Sequence, residues 1–136
     1  MGKLDYKLDN LGKGIVSLER AVTGLGDAGQ LSGEFIQDSV LLRFETLIPL
    51  ACKAVACALE GQDFADVPAS PQDIADFAQG AGFLSPTEHN ELVKYIALHD
   101  VAWNIYDSQQ SALIVAATPD ALALIKTLFV RMKEQR

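Results

Sequence analysis

The chain has few cysteines and no unbroken apolar run of the ~18 residues that a membrane-spanning helix requires. Its 136 residues include only two cysteines, Cys52 and Cys57. Because they lie five positions apart, they fit neither a zinc-ligand spacing nor a CxxC redox pair, and we expect both to be reduced core residues. Charged residues recur at short intervals near the N-terminus, which does not fit a secretory signal. The sequence therefore predicts a cytoplasmic protein.

Positive charge is also scarce. The chain has 11 lysines and arginines against 18 aspartates and glutamates, for a net charge of −7. Nucleic-acid binding depends on cationic groups that neutralise phosphates, so we do not expect binding by bulk charge, although a local basic cleft is compatible with this total. With 49% hydrophobic and 21% charged residues, the composition is not that of a disordered chain. The length predicts one domain over residues 1–136.

Five segments have the hydrophobic spacing of helices, and none alternates like a strand. The second, from about Glu34 to Glu60, is apolar nearly all round, which predicts a central position. Pro49 lies inside it and predicts a kink. A glycine-rich loop is expected before it, from Gly24 to Gly33. The first segment carries a narrow stripe made of Leu4, Leu8, Leu11, Ile15, Leu18, Val22 and Leu25.

Three further segments begin with helix-start signals. A serine cap followed by proline in the first turn occurs twice, in Ser70-Pro71-Gln72-Asp73 and in Ser85-Pro86-Thr87-Glu88. The helix that begins after Ser85 is expected to reach about Asn104. Thr118-Pro119-Asp120 predicts the start of the last helix, with 109–117 either a separate short helix or its lead-in. The sequence thus predicts an all-α, up-and-down bundle of four or five helices.

One helical stripe combines apolar and polar side chains. It comprises Leu92, Ile96, His99, Trp103 and Tyr106. It fits either a core histidine beside amphipathic aromatics or a polar cleft in which His99 titrates near neutral pH. Asp100 and Asn104 form the neighbouring strip and lie within hydrogen-bond reach of each other.

The central helix carries charged residues on an otherwise apolar surface. Asp38 and Glu45 are seven residues apart, and Arg43 lies near them. Buried carboxylates are rare unless paired, so we favour an ion pair of Arg43 with either carboxylate, or with a partner subunit, over catalysis. His89 is expected at the surface. Because no phosphate-binding glycine loop, HExxH motif or calcium loop is present, we expect no cofactor and no metal.

The same helix carries a family resemblance. Two stretches of this helix resemble the second-helix signature of nucleotidyltransferase substrate-binding proteins. They are Ile36-Gln37-Asp38-Ser39-Val40-Leu41-Leu42-Arg43-Phe44-Glu45 and Leu50-Ala51-Cys52-Lys53. These belong to the HEPN superfamily, which includes the HepT-like toxins. Gln37 and Cys52 depart from the family pattern, which has arginine and tryptophan there. The matching positions are Asp38, Arg43, Phe44, Glu45 and Lys53.

The superfamily's chemical motif falls on residues 99–106 and is degenerate here. Tyr106 matches, but His99 stands in place of the arginine and Asn104 in place of the histidine. Asparagine does not take up a proton near neutral pH, and neutral histidine does not replace a permanent cation that holds a phosphate. We therefore expect little or no ribonuclease activity. The alternative is a divergent, metal-independent ribonuclease toxin in which His99 acts as the base and Asp100 orients it.

The resemblance also implies partners. Family members pair as homodimers and act beside a small nucleotidyltransferase, which in toxin–antitoxin versions can adenylylate the motif tyrosine, here Tyr106. The leading hypothesis is a non-catalytic binding module for a nucleotidyltransferase and its substrate or nucleotide, with no membrane association. The expected binding residues are Asp38, Arg43, Glu45, His99, Asp100, Trp103, Asn104 and Tyr106.

Overall fold

A computed structural model describes residues 2–26, 33–103 and 107–135, with backbone only for 25–26 and 33–36. In this part of the chain there are helices and no strands, so the predicted all-α bundle is confirmed. The five helices are α1 (Lys3–Gly26), α2 (Gly33–Gly61), α3 (Pro71–Gly80), α4 (Pro86–Val101) and α5 (Ser108–Glu134).

Helix α2 is the central element of the bundle. It contacts α1, α3, α4 and α5, as its apolar character on nearly all sides predicts. Leu42 is an exception, with 62% of its surface exposed. The helix continues without a break through Pro49, and the kink there stays a prediction. Its buried side chains include Val40, Leu41, Phe44, Leu47, Ile48, Ala51, Cys52, Ala54, Val55, Cys57, Ala58 and Leu59.

Helix α1 packs against α2 and α5 along its predicted leucine stripe. The contact with α2 is close at Gly14, where an added Cβ would lie 3.0 Å from Leu47 Cδ1. The predicted loop began too early, because Gly24 and Gly26 belong to α1. Glycine is tolerated near a helix C-terminus, so its presence alone does not mark where the helix stops. The four buried members of the stripe are Leu8, Leu11, Ile15 and Leu18.

The predicted starts of α3 and α4 are confirmed. Ser70 Oγ accepts a hydrogen bond from the Asp73 amide at 3.4 Å, and Pro71 opens α3. At α4, Ser85 Oγ accepts from the Glu88 amide at 3.1 Å, while Glu88 Oε1 accepts from the Ser85 amide at 2.9 Å. This reciprocal pair satisfies two amides that lack partners in the first helical turn.

Two predicted boundaries near the last loop were wrong. Helix α4 ends at Val101 rather than near Asn104, and α5 begins at Ser108 rather than at Thr118. Asp107 caps α5 by accepting from the Gln110 amide at 3.1 Å, so residues 109–117 are the first turns of the same helix. Pro119 lies inside it.

The start signal at Thr118-Pro119-Asp120 fails because tertiary packing outweighs it. Thr118 is fully buried, and its hydroxyl donates to the Ile114 carbonyl at 2.7 Å instead of capping a new helix. Ile114 and Ala121 on either side are also buried against the core. The burial of this face keeps the chain helical across the proline.

Helix α5 is long and apolar enough to cross a membrane by length and composition. An 18-residue window within it has a mean hydropathy of 1.8, and 39% of that window is buried inside the bundle. Helices in the cores of soluble proteins meet the same criterion.

An arginine on α5 joins that helix to the start of α4. The Arg131 guanidinium donates to both Glu88 carboxylate oxygens at 2.9 Å and to the Phe83 carbonyl at 2.8 Å. The hydrogen bond from Arg131 is the largest of the effects that lower the pKa of Glu88. Glu88 therefore serves both the cap of α4 and its attachment to α5.

We expect Arg131→Met to lower the free energy of unfolding by about 1–3 kcal/mol, because it removes a bidentate pair and leaves the Phe83 carbonyl without this donor. Urea denaturation followed by circular dichroism measures the change. Lys53→Met, which removes an exposed positive charge from α2, is the matched control and should stay within about 0.5 kcal/mol of the wild type. Equal stability of the two variants would contradict this role.

A histidine at the edge of the bundle joins α4 to α3. The side chain of His89 is only 17% exposed, and its Nε2 lies 2.7 Å from Asp76 Oδ1. The hydrogen bond with Asp76 raises the pKa of His89 above its ordinary value of 6.5, against the opposing effect of burial. The protonated imidazole is therefore the form that the contact stabilises.

This contact should make stability depend on pH. Because the pKa of His89 is higher in the folded state, its stabilising effect is complete below about pH 6.5 and is lost as pH rises through the folded value. His89→Gln should flatten the dependence of the melting temperature on pH between about 6 and 8. The same slope in wild type and variant would contradict the assignment.

Candidate functional site

The predicted site residues on α4 lie at the C-terminal end of that helix. The His99 side chain is 22% exposed, and its Nδ1 lies 3.1 Å from Oδ1 of Asp100, which is 68% exposed. The chain leaves the helix after Val101, with the Ala102 amide still bonded to the His99 carbonyl at 3.1 Å. A histidine–carboxylate pair is thus placed at the surface beside a helix end.

The stripe that includes His99 does not continue inward as predicted. Leu92 and Ile96 are buried, but Trp103 is 70% exposed. The helical spacing that puts Trp103 on this face requires α4 to continue, and α4 has already ended. Asn104 and Tyr106 lie outside the described residues, so the predicted bond between Asp100 and Asn104 stays a prediction.

Within the described residues, Arg43 does not form the expected ion pair with Asp38 or Glu45, and the alternative pair with a partner subunit stays a prediction. Arg43 Nε donates to Ser17 Oγ on α1 at 2.9 Å, and Nη1 donates to both the hydroxyl and the carbonyl of Ser39, the carbonyl at 3.3 Å. Asp38 and Glu45 are half-buried, and neither lies within ion-pair distance of Arg43 in the part of the chain described. The two serines explain this outcome, because they give Nε and Nη1 of the guanidinium neutral hydrogen-bond partners.

Arg43 lies in a groove formed by α1, α2 and α5, which we call the basic groove. Its volume is about 760 Å³. His99, Asp100 and Trp103 are not among the described residues that line it. The groove is lined by Leu8, Asp9, Gly12, Lys13, Val16, Ser17, Arg20, Ala21, Ser39, Arg43 and Phe129.

The basic groove is positively charged although the chain is acidic. Lys13, Arg20 and Arg43 contribute three cations, and Asp9 is the one carboxylate in the lining. Lys13 Nζ lies 3.1 Å from Asp9 Oδ2, but both side chains are largely exposed, so this pair is weak and exchangeable. Arg20 is exposed and forms no ion pair within the described residues. This groove is a local cluster of positive charge of the kind that is compatible with the net charge of −7.

Sequence reasoning missed most of this groove. Lys13, Ser17 and Arg20 follow one another at spacings of four and three, the same spacing as the leucine stripe of α1. This polar stripe was a visible signal. What was not visible is that α2 and α5 bring Arg43 and Phe129 to the same side of α1.

Metal binding has no support in the described parts of the chain. Across residues 2–26, 33–103 and 107–135, no three His, Cys, Asp or Glu side chains are arranged to hold an ion. Both cysteines are free and buried, as predicted. Burial raises the pKa of Cys52 to about 12. Burial also raises the pKa of Cys57, where nearby Lys3 partly opposes the effect.

We expect both thiols to resist iodoacetamide at pH 8 in the folded protein, because the thiolate is the reactive form. Cys52 is 1% exposed and Cys57 is 7% exposed, so Cys52 should react more slowly. Mass spectrometry of the alkylated peptides measures both rates, with urea-unfolded protein as the control. Faster labelling of Cys52 than of Cys57 in the folded state would contradict the packing described here.

Comparison with known proteins adds information on the fold. No protein family and no curated protein matches the chain. A crystal structure of a protein from Thermus thermophilus is similar, with a TM-score of 0.70 and 20% sequence identity over 85% of this chain and 98% of that chain. At this identity the likeness shows a shared helical-bundle fold and assigns no function.

Proposed function

We propose that this protein is a non-catalytic binding module that acts beside a small nucleotidyltransferase, as its resemblance to the substrate-binding family implies. The observation that carries the proposal is the chemistry at the end of α4, where His99 is bonded to an exposed carboxylate. This position corresponds to the arginine of the superfamily's nuclease motif. A carboxylate beside it suits recognition better than the binding of a scissile phosphate.

The electrostatics at His99 support this interpretation. A nuclease site needs a fixed positive charge near the scissile phosphate, and such charge stabilises the transition state. Within the described residues, His99 and Asp100 pair only with each other, and no lysine or arginine lies at ion-pair distance from the Asp100 carboxylate. A carboxylate at this position repels a phosphate diester, which disfavours RNA binding beside His99.

The exposed indole of Trp103 supports a role in protein contacts. Tryptophan is enriched among the residues that contribute most to binding energy at protein interfaces. At 70% exposure, Trp103 gains little from the bundle and leaves most of its apolar surface available to a partner. We therefore place the contact with the nucleotidyltransferase around Trp103, with His99 and Asp100 as polar neighbours. Homodimer formation is part of the same proposal.

The test is affinity purification of the tagged chain from its native source, followed by mass spectrometry. A small nucleotidyltransferase should co-purify with the wild type, and Trp103→Ala should reduce its recovery about tenfold or more. Tyr6→Ala is the matched control, because Tyr6 is a comparably exposed aromatic residue on α1. Absence of any nucleotidyltransferase from the wild-type eluate would contradict the proposal.

The same contact between His99 and Asp100 also fits a second candidate, the ribonuclease toxin. The 3.1 Å contact between His99 Nδ1 and Asp100 Oδ1 is the arrangement by which a carboxylate orients a histidine that acts as a base. Expression of the chain alone in bacteria separates the two functions. Normal growth supports the binding module, whereas growth arrest that His99→Ala abolishes would establish the nuclease instead.

A further inference from the structure

We propose that the basic groove binds the phosphate chain of a nucleoside di- or triphosphate. The proposal deepens the binding role proposed above, since it names the ligand class and assigns it to a groove apart from α4. It rests on three observations: the spacing of the cations, the arrangement of Arg43 and the apolar surface beside them.

The cations are spaced for more than one phosphate group. Lys13 and Arg20 are seven residues apart on α1, which corresponds to about 10 Å along the helix axis. Ser17 lies between them on the same stripe and accepts the hydrogen bond from Arg43 Nε at 2.9 Å. Positive charge therefore extends along the groove from Lys13 past Arg43 to Arg20. A single phosphate does not span this distance, whereas a chain of phosphates bridges neighbouring cations.

Arg43 is already fixed in position without a ligand. Its Nε and Nη1 are bonded to Ser17 and Ser39, on two different helices. Its Nη2 forms no hydrogen bond with another described residue, and in this proposal it donates to the anion. Fixing the guanidinium in advance lowers the entropy lost on binding, and its fork geometry suits phosphate oxygens.

The groove also offers apolar surface next to these cations. Val16 is 47% exposed, and Phe129 lies against Gly12, where an added Cβ would be 3.3 Å from Phe129 Cζ. Lys133 Nζ lies 5.2 Å from the centroid of the Phe129 ring and adds another positive charge near this end. A base or ribose can contact this surface while the phosphates contact the cations.

The size and charge of the groove favour a small molecule. Its volume of about 760 Å³ falls within the range of roughly 300–1,000 Å³ that is typical of ligand sites. The chain as a whole carries a net charge of −7, so three cations gathered in one groove form a local exception that attracts anions. A nucleoside polyphosphate combines the multiple charges and the flat apolar part that this lining accommodates.

The test is isothermal titration calorimetry of the purified chain alone, without magnesium, with ATP, pyrophosphate and adenosine as probes. ATP should bind most tightly. Pyrophosphate should bind about tenfold more weakly, because it lacks the apolar contacts. Adenosine should give no measurable heat at the same concentrations. Absence of ATP binding at millimolar concentration, or equal binding of ATP and adenosine, would overturn the proposal.

Variants locate the site. Lys13→Gln and Arg20→Gln should each weaken ATP binding about tenfold, since each removes a charge-assisted contact from an exposed position where folding is not at stake. Lys94→Gln removes the same charge from an exposed position on α4 and should leave the affinity unchanged. Unchanged affinity in the Lys13→Gln/Arg20→Gln double variant would overturn the assignment to this groove.

The two proposals fail separately. If ATP does not bind the basic groove, a nucleotidyltransferase can still co-purify with the chain through Trp103. Conversely, ATP binding can depend on Lys13 and Arg20 while the eluate contains no nucleotidyltransferase. That result would support the groove as a nucleotide site and contradict the proposed partner.

Discussion

Burial of α2 by the other four helices is the constraint on which the rest of the structure depends. A helix in contact with neighbours on so many sides has little room for charge, and most of its side chains are apolar as a result. Each large side chain fully buried there contributes about 1.5–3 kcal/mol relative to an exposed one. The positions of α1, α3, α4 and α5 follow from the need to cover this surface.

The same constraint explains why Arg43 is directed into the basic groove. A guanidinium does not lose its charge in proteins, so on a buried helix it must reach hydrogen-bond acceptors or water. The boundary between α1 and α2 provides both, through Ser17 and Ser39 and the open groove beyond them. The placement that packing requires is therefore also the one that makes a donor available to a ligand.

The sequence predicted those features that local physics determines. The caps at Ser70 and Ser85 depend on interactions within a few residues. The leucine stripe of α1 and the central position of α2 depend on the spacing of apolar residues. The predicted start of α5 was wrong because Thr118 and Pro119 form a valid local start signal that tertiary burial outweighs. Local rules do not measure such competition, so predicted boundaries are less secure than predicted helices.

The candidate site was predictable only in part, for a related reason. His99 and Asp100 are neighbours in sequence, and their contact was within reach of sequence reasoning. The lining of the basic groove comes from three helices, and its members meet only once the bundle has assembled. The expected pairing of Arg43 with Asp38 or Glu45 failed because Ser17, 26 positions away, provides an acceptor that no pattern within α2 reveals.

The dual role of Glu88 has a consequence for cooperativity. Its carboxylate closes the first turn of α4 through the Ser85 amide and also holds Arg131 on α5. Fraying of that first turn therefore also weakens the attachment of α5, and detachment of α5 leaves the turn with a less constrained cap. Opening of either segment in isolation is penalised, so the amides of these two segments should exchange with solvent as one unit rather than independently.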